Sequence, residues 1–308
     1  MTVMTTKLNR LTYIVEFGTP YTFLREVITR ELRLSQGLQT RLKKANHIRV
    51  NGEPTLTNYR LCPGDVVTVD LEFAEANQIL PEAIPIDILY ADQDITIVDK
   101  PPGMPIHPSK HGGFGTLANA MTYHWQRQGE ERLFRPVNRL DRDTSGLVLI
   151  ANSHYAHQAL FVQQRNGQIS REYFAIAQGF PPEASGRIDA PIARFNQYGR
   201  KRIVSPEGQP AVTNYQVLKR FKTCSYLTLR LETGRTHQIR VHLQSLGCPI
   251  LGDTLYGSFS PLIGRQALHA GYLVFDHPRT GEPLRFTAPF PDDMREVLDN
   301  LLPDDNPR

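Results

Sequence analysis

The chain has 308 residues, of which 40% are hydrophobic and 21% are charged, and its formal net charge is +4. This length exceeds one comfortable hydrophobic core and predicts two domains, or one large domain with an appendage. The composition is that of an ordinary globular protein, and the slight excess of basic residues permits an anionic partner without requiring one.

The three cysteines are widely spaced, which excludes a disulfide framework and favours a reducing, cytoplasmic location. The first residues contain no apolar run of the signal-peptide type, so we expect no signal peptide. No apolar stretch approaches the length that a membrane span requires, so we expect no membrane association.

The first segment with regular spacing predicts a pair of helices. From Tyr21 to Leu34, apolar residues recur every three or four positions, which is typical of a helix with one buried face. Ser35 is a suitable N-cap for a second helix, because its side chain can accept a hydrogen bond from the first helical turn. The outer face of this second helix is basic and carries Arg41, Lys43 and Lys44.

Short strands are predicted after the two helices. Residues 47–50 run into the dipeptide Asn51-Gly52, which is favoured in tight hairpin turns, and residues 66–71 form a further strand pattern. The stretch that follows lacks periodicity and contains two prolines, as a linker would. We therefore predict a tail over residues 1–12, a small α/β domain over residues 13–75 and a linker over residues 76–86.

The remainder of the chain, residues 87–302, alternates short strand and helix patterns without a regular βαβ rhythm. This arrangement favours an α+β domain with a mixed, largely antiparallel sheet over a doubly wound fold. Polar, glycine-containing loops between its strands have the character of active-site loops. Residues 303–308 predict a frayed tail.

The loop from Arg139 to Gly146 concentrates polar chemistry in front of an apolar run, residues 147–151, that predicts a buried strand. The loop contains two carboxylates, two guanidinium groups and two hydroxyls within eight residues. By composition alone, a salt-bridged turn is the more ordinary interpretation. Asp141 and Asp143 could also imitate the paired carboxylates of a glycosidase, and the residues by themselves leave that alternative open.

A second polar loop lies within residues 231–242, between a predicted strand and a predicted helix. Thr236 can cap this helix, and Arg235 then lies in the turn beside the helix N-terminus. His237 and His242 do not predict a metal site, because a spacing of five residues directs them to different sides of the helix.

A third segment, residues 97–108, is a predicted strand that ends at Lys100 and continues into an extended, proline-rich loop. It is either a stiff structural loop or the wall of a groove, and its chemistry does not decide which. Other catalytic patterns are missing: the chain has no hydrolase elbow, no Walker lysine loop and no dinucleotide-binding glycine motif. We therefore expect no cofactor and no metal.

Together and in this order, the three segments resemble the signature of RNA pseudouridine synthases of the type that modifies ribosomal large-subunit RNA. The resemblance covers about residues 87–290, and the preceding segment, about residues 13–75, resembles the RNA-binding domain named after ribosomal small-subunit protein four. Further stretches that match the synthase family are Arg171 to Tyr173, Gly252 to Gly257 and Leu268 to Ala270.

The resemblance implies a central active-site cleft in the sheet of the catalytic domain and roles for individual residues. Asp141 would be the catalytic aspartate, Arg235 its ionic partner and Tyr173 the ring on which the base stacks. Asn138 departs from the family pattern, which commonly has a histidine at this position that either has a structural role or contacts phosphate as a cation. The implied RNA contacts come from Lys100, Arg139, Arg171, His237 and Arg240 in the catalytic domain, and from Arg41, Lys43, Lys44 and Arg49 in the N-terminal domain.

The reaction that the resemblance implies is the isomerisation of specific uridines to pseudouridine in structured RNA, either ribosomal or transfer RNA. Uracil is detached from ribose at N1, turned and reattached through C5, and an ionised carboxylate can attack C1′ or remove a nearby sugar proton. The main alternative is a non-catalytic RNA-binding or ribosome-assembly protein with the same fold. We expect a monomer, because no heptad or large apolar surface pattern is present.

Overall fold

The structure is a computed structural model that describes residues 10–32, 34–71, 78–109, 113–196, 199 and 201–303. It contains two main sheets, each with its own hydrophobic core. The strands of the N-terminal sheet are β1 (Arg10–Ile14), β2 (Ile48–Val50), β3 (Glu53–Pro54) and β4 (Val66–Asp70). They are antiparallel and lie in the order β1-β4-β2-β3.

Two helical segments lie between β1 and β2, as predicted. The first begins later than Tyr21, because the Glu26 carboxylate accepts hydrogen bonds from the backbone N–H groups of Thr22 and Phe23. Ser35 caps the second helix as predicted, and its Oγ accepts a hydrogen bond from a backbone N–H in the first turn at 3.3 Å. The segments are α1 (Leu24–Glu26), its continuation as a π-helical turn (Val27–Glu31), and α2 (Gln36–Lys44).

The helical segments and the N-terminal sheet enclose one core. Leu24, Ile28, Leu42 and Val67 are fully buried in it. Tyr155 joins this core from the other part of the chain, so the two parts of the molecule are in contact.

The observed elements refine the predicted boundaries. β1 begins at Arg10, so residues 10–12 belong to the sheet and not to the tail predicted over residues 1–12. Residues 78–86 contain no helix or strand, in keeping with a linker, whereas residues 72–77 lie outside the described part of the chain. Residues 304–308 of the predicted C-terminal tail also lie outside it.

The second sheet has nine strands in the order β5-β6-β7-β14-β8-β13-β12-β9, and β15 pairs with the later half of β14. Its strands are β5 (Asp87–Ala91), β6 (Ile95–Lys100), β7 (Ser145–Ala151), β8 (Ser170–Gln178), β9 (Ser185–Asp189), β12 (Val212–Arg220), β13 (Cys224–Leu231), β14 (Leu268–Asp276) and β15 (Pro283–Thr287). A separate hairpin consists of β10 (Ile192–Arg194) and β11 (Arg202–Val204). Within the described residues, β7 and β14 are the one parallel pair, which confirms the predicted mixed, largely antiparallel sheet.

Within the described residues, the helices that accompany this sheet are α3 (Leu117–Arg127), α4 (His154–Arg165), α5 (Gln238–Ser245) and α6 (Asp292–Asn300). Every residue of β7 is buried, which confirms the strand predicted over residues 147–151. Among the helices of the described segments, none has the length and apolar character that would let it cross a membrane.

Gly146 allows β7 and β14 to lie unusually close together. Its φ is +110°, and a Cβ added there would lie 2.2 Å from the carbonyl oxygen of Ala270 in β14. A side chain therefore cannot be accommodated without moving the backbone of β14. This contact fixes the end of the polar loop, residues 139–146, over the middle of the large sheet.

Candidate active site

A cavity of about 480 Å³ lies over the middle of the large sheet, where the sequence predicts a central cleft. Its walls come from the loop before β7, from β8 and from the turn before α5. The residues singled out in the sequence that line the cavity are Asn138, Arg139, Asp141, Arg171, Tyr173, Arg235, Thr236, His237 and Arg240.

Asp141 is held from one side by Arg240. Nη1 of Arg240 donates a hydrogen bond to Oδ2 of Asp141 at 2.9 Å, and the Asp141 side chain is 25% exposed. Its other oxygen, Oδ1, accepts no hydrogen bond from the described residues and lies 3.9 Å from Nε2 of His237. One carboxylate oxygen is therefore available to a molecule bound in the cavity.

Arg240 is itself fixed by a second carboxylate, Asp253. Nε and Nη2 of Arg240 donate to the two oxygens of Asp253 at 2.6 and 2.8 Å, and the Asp253 side chain is fully buried. Burial works against the charge of Arg240, but the hydrogen bonds to Asp253 and the charge of Asp141 outweigh it and raise the pKa of the guanidinium. A bidentate pair of this kind holds Arg240 charged and in one orientation.

Asp253 has a role that the sequence did not assign. It lies in the stretch from Gly252 to Gly257 that matches the family, and it also accepts hydrogen bonds from the backbone N–H groups of Leu255 and Tyr256. The sequence contained one indication of this role: Asp253 is an acidic residue inside a stretch that matches the family but to which no function was assigned.

The structure corrects the predicted ionic pair of Asp141 and Arg235. Nε of Arg235 donates instead to the backbone carbonyl of Pro210 at 2.9 Å, and the side chain is exposed at the rim of the cavity. The reason is where the helix begins: α5 starts at Gln238, so Arg240 lies in its first turn and faces inward, whereas Arg235 remains in the turn outside the helix.

The N-cap of α5 is His237 and not the predicted Thr236. His237 has a left-handed backbone with φ of 59°, and its Nδ1 lies 2.8 Å from the hydroxyl of Tyr256. This contact leaves Nε2 on the side of Asp141. Burial lowers the pKa of His237, and the nearby charge of Asp141 offsets only part of this effect.

Gln238 anchors the turn that Thr236 was expected to cap. Its Oε1 accepts hydrogen bonds from the hydroxyl of Thr233 and from the backbone N–H of Arg235, at 2.8 and 2.9 Å. Its Nε2 donates to the backbone carbonyl of Val212 in β12. A buried glutamine at the start of a helix is an ordinary sequence feature, and nothing in the pattern indicated this role.

His242 lies apart from His237, as the spacing predicts. Its Nδ1 is 2.8 Å from Oγ1 of Thr213, and its Nε2 is 2.9 Å from the carbonyl of Ala190. In the part of the chain that the structure describes, no three histidine, cysteine or acidic side chains are grouped so that they could hold a metal ion.

Arg171 and Tyr173 are two residues apart on β8, so their side chains share one face of the sheet. Tyr173 is almost fully buried, and this burial raises the pKa of its phenol. Arg171 is 9% exposed, and its Nε has no hydrogen-bond partner among the described residues. A buried guanidinium without a carboxylate is costly, which favours an anionic ligand in this cavity.

Lys100 does not reach the cavity, which corrects its predicted contact with RNA. It is fully buried, and Nζ donates to the backbone carbonyls of Pro101, Met104 and Arg142 at 2.7, 2.9 and 3.0 Å. Burial lowers the pKa of Lys100 to about 7. Through Arg142 this side chain ties the end of β6 to the loop that carries Asp141.

Asn138 supports the same loop. Its Nδ2 donates to the carbonyl of Leu147 at 3.0 Å, and its Oδ1 accepts from the N–H of Leu149 at 2.8 Å. The side chain is buried, so both of its polar ends are occupied by the backbone of β7. In this chain the residue at the family's histidine position therefore has a structural role.

The basic residues predicted on the N-terminal part have different surroundings. Lys43 and Lys44 are exposed on α2. Arg49 lies 3.4 Å from a carboxylate of β4, whereas Arg41 turns toward α4, where its Nη1 lies 2.5 Å from Nε2 of His154.

Comparison with known proteins finds relatives that all carry the name of one enzyme family. Residues 94–245 match the family model described as RNA pseudouridylate synthase. The chain is 43% identical over 262 residues to the uncharacterized RNA pseudouridine synthase YlyB of Bacillus subtilis, covering 84% of this chain and 86% of that protein. It is 39% identical over 272 residues to ribosomal large subunit pseudouridine synthase D of Vibrio parahaemolyticus, covering 83% of each.

A solved structure agrees with these relatives. Human RNA pseudouridylate synthase domain containing 1 is similar with a TM-score of 0.59 and 25% identity, covering 72% of this chain and 90% of that one. The matched residues include the loop with Asp141 and the turn that leads to Arg240. Because its relatives match over most of their length, the chain belongs to the RNA pseudouridine synthases, the enzymes that isomerise uridine to pseudouridine in RNA.

Proposed function

We propose that the chain isomerises uridines of ribosomal RNA and that Asp141 is its catalytic carboxylate. The observation that carries this assignment is the unequal environment of the two Asp141 oxygens: Oδ2 is bound by Arg240, and Oδ1 is open to the cavity. An open carboxylate oxygen can attack C1′ of the ribose or remove a sugar proton, and either step leads to cleavage of the bond between C1′ and N1 of uracil.

The remaining steps require space and no outside reagent. The departing uracil keeps the electron pair of the broken bond, turns within the cavity and forms a new bond from C5 to C1′. The proton on C5 is then lost to solvent and N1, which left with the electron pair, takes up a proton, so the product has the composition of the substrate. A cavity of about 480 Å³ is within the range of sites that hold small ligands, and so has room for this rotation.

In this scheme Arg240 positions the Asp141 carboxylate and remains positively charged. Its two hydrogen bonds to Asp253 leave Nη1 directed at Asp141. Because a reacting group must be held within a narrow range of positions, this arrangement supports the assignment of Asp141 over the more exposed Asp143.

Tyr173 and Arg171 supply the contacts that hold the nucleotide. The ring of Tyr173 in the cavity wall offers a stacking surface worth roughly 1–3 kcal/mol per base. The guanidinium of Arg171, whose Nε has no protein partner in the described residues, is suited to a phosphate of the same nucleotide or its neighbour. A uridine in folded RNA must leave its stack to reach this depth.

The N-terminal part is proposed to bind RNA in the manner of the domain named after ribosomal small-subunit protein four. Its two helical segments, its four-stranded sheet and the exposed Lys43 and Lys44 on α2 support this assignment. Lysines on an exposed helix face attract the phosphate backbone without regard to base sequence.

Ribosomal RNA is proposed as the substrate because several similar relatives carry the name ribosomal large subunit pseudouridine synthase D. The test is release of tritium from ribosomal and transfer RNA labelled at C5 of uracil, with pseudouridine mapped in each RNA. Release from ribosomal RNA is expected. Release from transfer RNA alone would show that transfer RNA, and not ribosomal RNA, is the substrate. Release from neither RNA would contradict the proposed function.

A further inference from the structure

His237 presents one ring nitrogen to the active-site cavity, beside the proposed catalytic carboxylate. Its Nε2 lies 3.9 Å from Oδ1 of Asp141, a separation too long for a hydrogen bond. Nε2 makes no hydrogen bond with any described residue, although the His237 side chain is only 14% exposed. A polar ring atom in this position is suited to a polar atom of the bound nucleotide.

The other ring nitrogen of His237 is occupied by Tyr256. The hydroxyl oxygen of Tyr256 accepts a hydrogen bond from the backbone N–H of Arg202, on β11, at 2.8 Å. The same hydroxyl lies 2.8 Å from Nδ1 of His237, and among the described residues Nδ1 is the one acceptor within its reach. Because a buried hydroxyl ordinarily donates its hydrogen, Tyr256 donates to Nδ1.

This arrangement determines which nitrogen of His237 is a donor. In a neutral imidazole one nitrogen carries hydrogen and the other accepts, so an Nδ1 that accepts from Tyr256 leaves the hydrogen on Nε2. In a protonated ring both nitrogens carry hydrogen. Nε2–H is therefore directed toward the cavity in either state.

The His237 ring is held in this orientation by its surroundings. Tyr256 is 7% exposed and packs with Ile192 and Val241 in a small core, which gives its hydroxyl a fixed position. The rings of His237 and Tyr256 also meet edge to face, with their centroids 5.6 Å apart. A donor on a fixed ring does not have to reorganise when charge develops in front of it, which is the condition for electrostatic stabilisation in an active site.

Negative charge develops on uracil when its bond to ribose breaks. The electron pair of the C1′–N1 bond stays with the base, and the charge is shared between N1 and the carbonyl oxygens. Reacting atoms lie about 3–3.5 Å apart before a bond forms, so C1′ would lie about that far from Oδ1 of Asp141. Of the two base oxygens O2 is the nearer to C1′, and we therefore expect O2 beside Nε2–H of His237.

We propose that His237 is a catalytic residue whose Nε2–H donates a hydrogen bond to O2 of the target uracil and stabilises the charge on the detached base. The hydrogen remains on His237, so no proton is transferred in this step. The contact serves both reactions open to Asp141, because uracil leaves with the electron pair in each. The proposal rests on the proposed function, since it takes Asp141 as the reacting carboxylate.

Two substitutions of His237 separate the roles of its two nitrogens. The amide nitrogen of glutamine can take the place of Nε2, whereas the shorter asparagine can replace only Nδ1 as the partner of Tyr256. His237→Asn should lower the single-turnover rate about 10–100-fold, the effect of losing one hydrogen bond to a charged group. His237→Gln should be at least about tenfold faster than His237→Asn. RNA affinity should be nearly unchanged in both, because the charge develops only after binding. Equal rates in the two variants would overturn the proposal.

A substrate with sulfur in place of O2 tests the contact in the wild-type protein. The substrate is a synthetic fragment of ribosomal RNA in which the modified uridine, identified by pseudouridine mapping, is replaced by 2-thiouridine or, as a control, by 4-thiouridine. Sulfur is a weak acceptor, so 2-thiouridine should slow the wild-type protein about tenfold more than it slows His237→Asn, where the donor is already absent. The effect of 4-thiouridine should be the same in both proteins. An equal effect of 2-thiouridine in both would contradict the contact with O2.

The position of the hydrogen is measured independently of turnover. In ¹⁵N NMR of protein labelled at histidine, the ring signals that disappear in His237→Asn belong to His237, and its Nε2 should carry a hydrogen. An Nε2 without hydrogen would rule out the proposed donor. If the wild-type protein released no tritium from uridine RNA, the proposed function would be contradicted, whereas the NMR signals and the effects of sulfur report on His237 itself.

Discussion

Arg240 donates a hydrogen bond to Asp141 at 2.9 Å across 99 positions of the sequence. The remaining edge of the same guanidinium is bound by Asp253, so the arginine cannot turn away from the cavity without breaking a buried pair. Removing one partner of such a pair is strongly destabilising, which makes the arrangement rigid. The orientation of Asp141 is thus decided by a carboxylate that does not itself line the cavity.

Asp141→Asn should lower turnover by at least about 10²–10⁴-fold and leave RNA affinity close to that of the wild type, because the amide can neither attack C1′ nor accept a proton. Tritium release from RNA labelled at C5 of uracil measures the chemistry, and a filter-binding assay measures affinity. Asp143→Asn is the matched control and should be mild, since this side chain is 44% exposed and faces Arg142. A severe loss in Asp143→Asn would instead indicate a paired-carboxylate mechanism.

Substitutions of Arg240 and of Arg235 should have different effects on kcat and KM. Arg240→Lys should reduce kcat by about 10²-fold or more, because a lysine cannot hold Asp141 and Asp253 in one fixed plane. Arg235→Gln should change kcat less than about tenfold and act mainly on KM, because its side chain is exposed at the cavity rim. Steady-state kinetics on ribosomal RNA separates the two, and equal losses in kcat would contradict the different roles assigned to Arg240 and Arg235.

Gly146→Ala should destabilise the protein and displace the catalytic loop. The added methyl group would overlap the backbone of Ala270 and would require a left-handed backbone, at a cost of about 2–5 kcal/mol. Gly129→Ala is the matched control, because Gly129 also has positive φ but nothing within 4 Å of the added Cβ, so only the backbone strain of about 1–2 kcal/mol remains. Denaturant unfolding measures both, and equal free-energy losses would contradict the close approach of β7 and β14.

His269 should make the protein less stable in mild acid. Burial lowers the pKa of His269 to about 4, whereas an unfolded histidine has a pKa near 6.5. Between these values the unfolded chain binds a proton that the folded protein does not, so stability decreases as pH falls from about 6.5 to about 4, by roughly 3 kcal/mol at most.

The measurement is the free energy of unfolding in denaturant at several pH values in that range. His269→Gln should show a smaller loss than the wild type, because the buried imidazole is gone. His124→Gln, at a partly exposed position of α3, should follow the wild type. Parallel curves for the wild type and His269→Gln would mean that another group controls acid unfolding.

The amino-acid sequence by itself determined the family, the reaction and the class of fold. The order of its three polar segments resembles one enzyme family, and the relatives confirm it. Local patterns were also sufficient where local forces decide: Ser35 caps α2, and the apolar run after Gly146 is a buried strand. In both cases the outcome depends on neighbours a few residues away.

Tertiary structure alone decided which side chains meet. Arg235 and Arg240 have the same chemistry in the same segment, and the left-handed backbone at His237 determines which of them faces Asp141. Asp253 could not be assigned from the sequence, because its partner belongs to another element and the pair forms only when both are buried. The direction of a side chain follows from the path of the whole backbone, whereas a sequence pattern records only residue type and spacing.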